Sequence, residues 1–187
     1  MAIGAGVFRA YDVRGKVGEG ITTELAELLG RAFGTYIGEE GDRKVAVGRD
    51  NRLTGEELKD ALVRGLVSTG CTVYDIGLST SPALYFASAH WGLPGGVNVT
   101  GSHNPLDENG FKFVGEGARP IAGDELLEIK KIIDAGSFRS GEARRAASDQ
   151  AGVPRSAEDR CQTDAAVPGR GRHRQRRRRP LRSRAVA

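Results

Sequence analysis

Leu25, Leu28, Leu29, Ala32, Phe33 and Tyr36 recur at three- and four-residue intervals, a period that predicts an amphipathic helix from Thr23 to Ile37. The polar stretch from Gly38 to Arg43 breaks it. Val45 to Val47 then reads as a short buried strand, and Leu58, Leu62 and Leu66 mark a second helix over Thr54–Thr69. Thr54 followed by Glu57 has the spacing of a capping box at that helix's start. Thr72 to Ile76 alternates as a strand closed by Gly77, and Ser81-Pro82 opens a helix through Ala89, because proline is tolerated in a first turn. Gly95 to Val99 alternates apolar and polar as a further strand, and an Ala122 to Ala135 helix ends the periodic region. Before all of these, Phe8 to Gly15 reads as a strand followed by a loop. Alternation of strands and helices predicts an α/β fold, a mixed and largely parallel sheet with flanking helices.

This pattern places one serine at a site of interest. Ser102 falls just past the Gly95–Val99 strand, where ligand crevices of α/β sheets open. Gly101 lacks a Cβ, which allows a positive φ or close approach of a bulky group, and Pro105 biases Asn104 toward an extended or turn conformation. Asn109-Gly110 reads as a turn that returns Phe111-Lys112-Phe113 as a strand, with Lys112 on the face opposite the two phenylalanines. A serine hydroxyl is a weak nucleophile unless a base adjoins it or it already carries the group to be transferred. In an extended segment Ser102 and His103 point apart, and no Gly-x-Ser-x-Gly elbow occurs, so the second alternative suits the chain better.

The run Thr100-Gly101-Ser102-His103-Asn104-Pro105, followed by Asn109, Gly110 and Lys112, resembles the phosphoserine signature of the α-D-phosphohexomutases, the phosphomannomutase and phosphoglucomutase family. Phe8-Arg9-Ala10-Tyr11-Asp12-Val13-Arg14-Gly15 resembles that family's opening string. Gly48-Arg49-Asp50-Asn51-Arg52 resembles its Gly-Arg-Asp-x-Arg segment, read as holding loops beside the phosphoserine. The resemblance spans residues 7 to 135 and implies the first domain of a four-domain isomerase of carbohydrate metabolism. It implies that phosphorylated Ser102 passes its phosphoryl group to a hexose phosphate, giving a bisphosphate, and recovers one from the other end, so that phosphate moves between the 1 and 6 positions. Lys112 would act as acid/base or steady the transferring charge. Arg14, with Tyr11 and Asn104, would bind substrate or phosphate, a task suited to a planar guanidinium. His103 would either hydrogen-bond phosphate or substrate or hold the loop. The resemblance also implies Mg²⁺ held through the Ser102 phosphate. The family's Asp-Gly-Asp-Gly-Asp-Arg metal loop and its sugar-recognition loops are not in the sequence, so this chain alone is expected to have weak activity or none.

Charge divides the chain sharply. Residues 1–138 hold 14 Lys and Arg against 19 Asp and Glu, a net of −5; residues 139–187 hold 14 Arg against 5 acidic residues, a net of +9. Beyond Phe138 there is no Phe, Tyr, Trp, Ile or Met, so 139–187 cannot bury enough apolar surface to order itself and is expected to be a disordered basic tail. Its arginine run 170–179 reads as a binder of nucleic acid or other polyanions, as a native flexible terminus, or, the preferred expectation, as an aberrant frameshifted end of a truncated chain. Under the polyanion alternative, 1–138 would be a catalytically silent α/β domain. No dinucleotide fingerprint, nucleotide phosphate loop, secretory signal or membrane-spanning stretch appears. Cys71 and Cys161, without a Cys-x-x-Cys, read as reduced thiols of a cytoplasmic protein. An uncovered domain interface would favour self-association.

Overall fold

A computed structural model of the chain describes residues 6–37 and 43–141. The elements are β1 (Val13–Lys16), α1 (Thr23–Tyr36), β2 (Lys44–Arg49), α2 (Gly55–Ser68), β3 (Thr72–Leu78), α3 (Ser81–His90), β4 (Gly95–Val99), β5 (Glu108–Gly115) and α4 (Asp124–Ala135). They form a mixed five-stranded sheet in the order β1-β5-β4-β2-β3. β2 runs parallel to β3 and to β4, whereas β5 is antiparallel to β4 and to β1. The predicted α/β architecture is therefore present. The expected tail lies, from residue 142 onward, outside the described residues, as do Cys161 and the arginine run.

Strand periodicity sorts the core into two unequal layers. Val45 and Val47 of β2, Val97 and Val99 of β4, and Phe111 and Phe113 of β5 meet α1, α2 and α4 through Leu29, Phe33, Leu58, Leu62, Leu126 and Ile129. On the opposite face Ala46 and Val114 meet Leu84 of α3 and Leu93 in a smaller cluster. Phe33 and Phe113 stack at a tilt of 56° with centroids 5.1 Å apart, and fully burying each such ring contributes about 2 kcal/mol. β4 was expected to alternate between core and solvent. All five of its residues are buried, because it is a central strand covered by helices on both faces.

The α1–α2 contact depends on two glycines facing across the seam. A Cβ on Gly30 would lie 2.1 Å from the Leu62 carbonyl oxygen, and one on Gly65 would lie 2.1 Å from that of Glu27. Helical glycine costs roughly 0.5–1 kcal/mol relative to alanine. Here it lets the two backbones touch.

Four local expectations change. Phe8–Asp12 is a loop and the strand begins at Val13; the expected order is reversed because Phe8 bridges back to Val13 and closes the loop on itself. Asn109-Gly110 is not a turn. Both residues lie inside β5, opposite Gly15 and Arg14, and the chain reverses earlier, within 101–107. Thr54 does precede α2, but no capping box forms, because its backbone is helical and its hydroxyl accepts from Asn109 Nδ2 at 3.0 Å. At the other end, Arg139 N donates to Thr35 Oγ1 at 3.0 Å and Gly141 pairs with Thr69, so these first tail residues are packed against the domain.

Candidate active site

β2 and β4 are parallel neighbours, so the loops beyond their carboxyl ends emerge side by side. After β2 comes Asp50 to Arg52; after β4 comes Thr100 to Asp107, with Ser102 exposed near its start. The two are laced together. Asp50 N donates to Val99 O at 2.9 Å, Asp50 Oδ2 accepts from Gly101 N at 3.1 Å, and Asp50 Oδ1 accepts from Arg52 N at 3.0 Å.

Arg52 carries most of this lacing. Its guanidinium, with a side chain only 7% exposed, donates to the carbonyl oxygens of Ser102 (3.2 Å), Asn104 (2.6 Å), Pro105 and Glu108 (2.8 Å). Four acceptors on one fork fix the whole turn, and a guanidinium is the side chain with donors enough to do it. Arg49 acts farther out, donating to Asp50 O and to Glu56 Oε2 at 3.0 Å. The segment expected to hold loops does so.

Held this way, Ser102 has φ +53°, a left-handed backbone that few non-glycine residues adopt. The cost is of order 1–3 kcal/mol, the scale of a single charge-assisted hydrogen bond of the kind Arg52 supplies. Ser102 N donates to Thr100 Oγ1 at 2.9 Å, completing the bend. Gly101 was expected to allow either a positive φ or the close approach of a bulky group. Ser102 takes the positive φ, and Gly101 is needed for close approach, since a Cβ there would lie 2.3 Å from Arg52 Nε. The bend also corrects the expectation that Ser102 and His103 point apart. The segment is not extended, and Ser102 Oγ lies 3.3 Å from His103 Nδ1.

The predicted cations converge on one carboxylate. Lys112, on β5 opposite the buried Phe111 and Phe113, places Nζ 3.3 Å from Asp12 Oδ2. Arg14, on β1 and paired with Gly110, donates through Nη2 to the same Asp12 oxygen and through Nη1 to Asn104 Oδ1 at 2.6 Å. Asn104 in turn donates to Glu108 Oε2. Arg14 and Asn104, expected to bind substrate, are thus brought together at the Ser102 loop, while Tyr11, 75% exposed, projects from the β1 loop. In the sequence Asp12 reads as part of the opening string and as a surface partner of Arg14 without function; its side chain is instead 10% exposed and also takes Lys112. No local signal marks it, because its partner Lys112 is a hundred positions away and reaches it only through the β1–β5 register.

The described residues do not fit a Mg²⁺ site by themselves. Among them there is no group of three or more His, Cys, Asp or Glu side chains that could hold a metal ion. The nearby carboxylates are engaged, Asp12 by two cations and Glu108 by Asn104. A hard cation that wants six oxygens finds one candidate here, a Ser102 phosphate. No helix among the described residues is long and apolar enough to cross a membrane.

Residues 5–140 match the family model described as phosphoglucomutase/phosphomannomutase, alpha/beta/alpha domain I. The phosphomannomutase of Salmonella typhimurium is 48% identical over 132 residues, covering 70% of this chain and 28% of that protein. A phosphomannomutase of Klebsiella pneumoniae is 46% identical over 132 residues, 70% of this chain and 82% of that one. The phosphomannomutase/phosphoglucomutase of Pseudomonas aeruginosa is 44% identical over 137 residues, 73% of this chain and 29% of that protein. Among solved structures, a phosphoglucomutase/phosphomannomutase family protein of Burkholderia thailandensis superposes with a TM-score of 0.70 at 40% identity, over 75% of this chain and 32% of that one. The chain spans less than a third of the length of the Salmonella and Pseudomonas relatives.

Proposed function

The chain belongs to the phosphoglucomutase/phosphomannomutase family through its alpha/beta/alpha domain I, and from that premise we propose that Ser102 is the phosphoryl carrier of a phosphohexomutase. The observation that supports this best is the Arg52-stapled bend, which presents an exposed hydroxyl on a loop tied through Asn104 and Asp12 to two cations on β1 and β5. The reaction proposed is an isomerisation of hexose phosphates in the cytoplasm, with glucose or mannose phosphate as substrate and the hexose bisphosphate as intermediate.

In the first half-reaction the hydroxyl oxygen of a hexose monophosphate forms a bond to the Ser102 phosphorus as the Ser102 Oγ–phosphorus bond breaks. The sugar hydroxyl's proton ends on the departing Ser102 Oγ, and His103, 3.3 Å from that oxygen, is placed to relay it. Lys112, a cation paired with Asp12, steadies the charge on the transferring group. The second half-reaction reverses these bonds at the other end of the bisphosphate. Arg14 spreads positive charge toward the transferring group, where a fixed cation is worth most. Mg²⁺ is the family expectation. Ser102, through its phosphate, would supply one of its oxygen ligands, and the metal would offset charge on the transferring group.

Incubating the chain with glucose 1,6-bisphosphate and mapping phosphate by peptide mass spectrometry tests the assignment. Phosphate on Ser102, absent from a Ser102→Ala chain, is the expected result. Label on another residue, or label that persists in the Ser102→Ala chain, counts against it.

A further inference from the structure

We propose that Asp12 is a positioning residue of this site: its carboxylate gathers Arg14 and Lys112 onto one oxygen and holds both cations ready beside the Ser102 loop. The proposal rests on reading Ser102 as the phosphoryl carrier.

The β1 loop is built to present this carboxylate. Phe8 bridges to Val13 and Arg9 N donates to Asp12 O at 2.8 Å, closing a tight turn that turns the Asp12 side chain inward and leaves Tyr11 in solvent. The Asp12 side chain is 10% exposed, and Oδ2 accepts from Arg14 Nη2 and from Lys112 Nζ. Two cations brought to one point repel each other, and a carboxylate between them converts that repulsion into a three-way attraction. Removing one partner from such a cluster leaves the remaining charges uncompensated.

Arg14 shows that the arrangement is a waiting one. Nη2 is on Asp12 and Nη1 on Asn104, but Nε is buried and without an acceptor among the described residues. A buried guanidinium donor left unpaired is costly, and a phosphate oxygen is the acceptor that a guanidinium fork matches. Asp12 thus keeps Arg14 and Lys112 in place while phosphate is absent. Lys112, Asp12, Arg14 and Asn104 form one chain of contacts from the amine to the serine loop.

The full chain with Asp12→Asn and with Asp12→Glu, each checked for folding by circular dichroism, tests this. Trace acetylation with acetic anhydride, read by peptide mass spectrometry, gives the reactivity of Lys112 relative to Lys130 in the same molecule. Asp12→Asn should raise that ratio ~3-fold or more, because the Lys112 amine is no longer held in an ion pair with the carboxylate and is freed toward the reagent. Asp12→Glu should bring it back near the unsubstituted value. An unchanged ratio in folded Asp12→Asn overturns the proposal. Should Asp12→Asn not fold, nitrogen-15 spectra of the unsubstituted chain decide: a clamped Arg14 gives two separate Nη signals, and one averaged signal overturns the clamp.

The rate of Ser102 labelling by glucose 1,6-bisphosphate separates the two assignments. A fall of ~10-fold in Asp12→Asn, with recovery in Asp12→Glu, is expected for a positioning residue. Labelling at an unchanged rate in Asp12→Asn overturns Asp12 alone. Label that persists when Ser102 is replaced by alanine overturns the carrier reading on which the proposal rests.

Discussion

Gly101 rests against the guanidinium of Arg52: a Cβ on Gly101 would fall 2.3 Å from Nε and 2.4 Å from Cζ. The glycine and the arginine are thus two halves of one device. The arginine can reach the carbonyl oxygens of Ser102, Asn104, Pro105 and Glu108 only because nothing projects from the residue it passes.

Gly101→Ala should therefore act like loss of Arg52. The methyl group pushes the guanidinium off the loop, and Ser102 is released from its left-handed backbone. Proteolysis within 101–107 and amide hydrogen exchange should both rise, while the melting temperature of the rest of the domain falls by only a few degrees. Protection equal to the unsubstituted chain would show that Arg52 tolerates the methyl.

Arg52→Lys keeps the charge and loses the fork. A lysine ammonium has three donors on one nitrogen and cannot span four carbonyl oxygens. The variant should lose roughly 1–2 kcal/mol of stability, measured by urea unfolding, because charge-assisted hydrogen bonds to the loop carbonyl oxygens are lost. Stability within error of the original would mean that charge alone suffices.

Ser102→Gly should raise stability by up to ~1 kcal/mol, since glycine populates positive φ without the Cβ penalty. It would also abolish labelling by a hexose bisphosphate. A destabilised Ser102→Gly chain would place the strain elsewhere.

Gly65→Ala is expected to cost about 2–4 kcal/mol. On an exposed helix this change stabilises, but here the methyl meets the Glu27 carbonyl oxygen at 2.1 Å and forces α1 and α2 apart. Chemical denaturation of Gly65→Ala and of an exposed control such as Ser137→Ala gives the sign directly.

Glu125 joins α4 to α1 and to the connection after β5: it accepts from Arg119 and from Tyr36 Oη at 2.8 Å, and these bonds, that of Arg119 foremost, lower its carboxyl to about 2. A folded-state value below the unfolded one adds stability that is complete above about 4.5 and is lost as pH falls toward 2. The group is solvent-screened, so the contribution is less than about 1 kcal/mol. Glu125→Gln should flatten the pH dependence of the melting temperature between those limits and leave it unchanged near neutrality apart from a small uniform loss. An identical acid limb in both chains would assign it to other carboxylates.

Local periodicity was enough to read the helices α1 to α4 and the strands β2 to β4, because each buries a face whose spacing is written in consecutive residues. Capping chemistry was less legible. Thr54 has the spacing of a capping residue, yet its hydroxyl is taken by Asn109 from a strand fifty-five positions on. Asn109-Gly110 reads as a turn by local preference, but Gly110 sits where a Cβ would lie 2.3 Å from Val13 O, so tertiary contact with β1 set its identity.

By itself the sequence determined that Ser102 lies past a strand on a bend, that Lys112 faces away from two buried phenylalanines, and that Arg49 to Arg52 form a charged loop. These follow from short-range spacing and from the limited conformations of glycine and proline. Only the tertiary structure decided which residue carries the strained backbone, that Ser102 and His103 touch, that Arg52 staples the loop, and that Asp12 joins Arg14 to Lys112. The last two depend on the β1-β5-β4-β2 order of the sheet, which brings together residues fifty to a hundred positions apart, and the Arg52 staple in turn holds the bend that sets the first two. No local pattern encodes such a distance, because it is fixed by burial of the whole apolar surface at once.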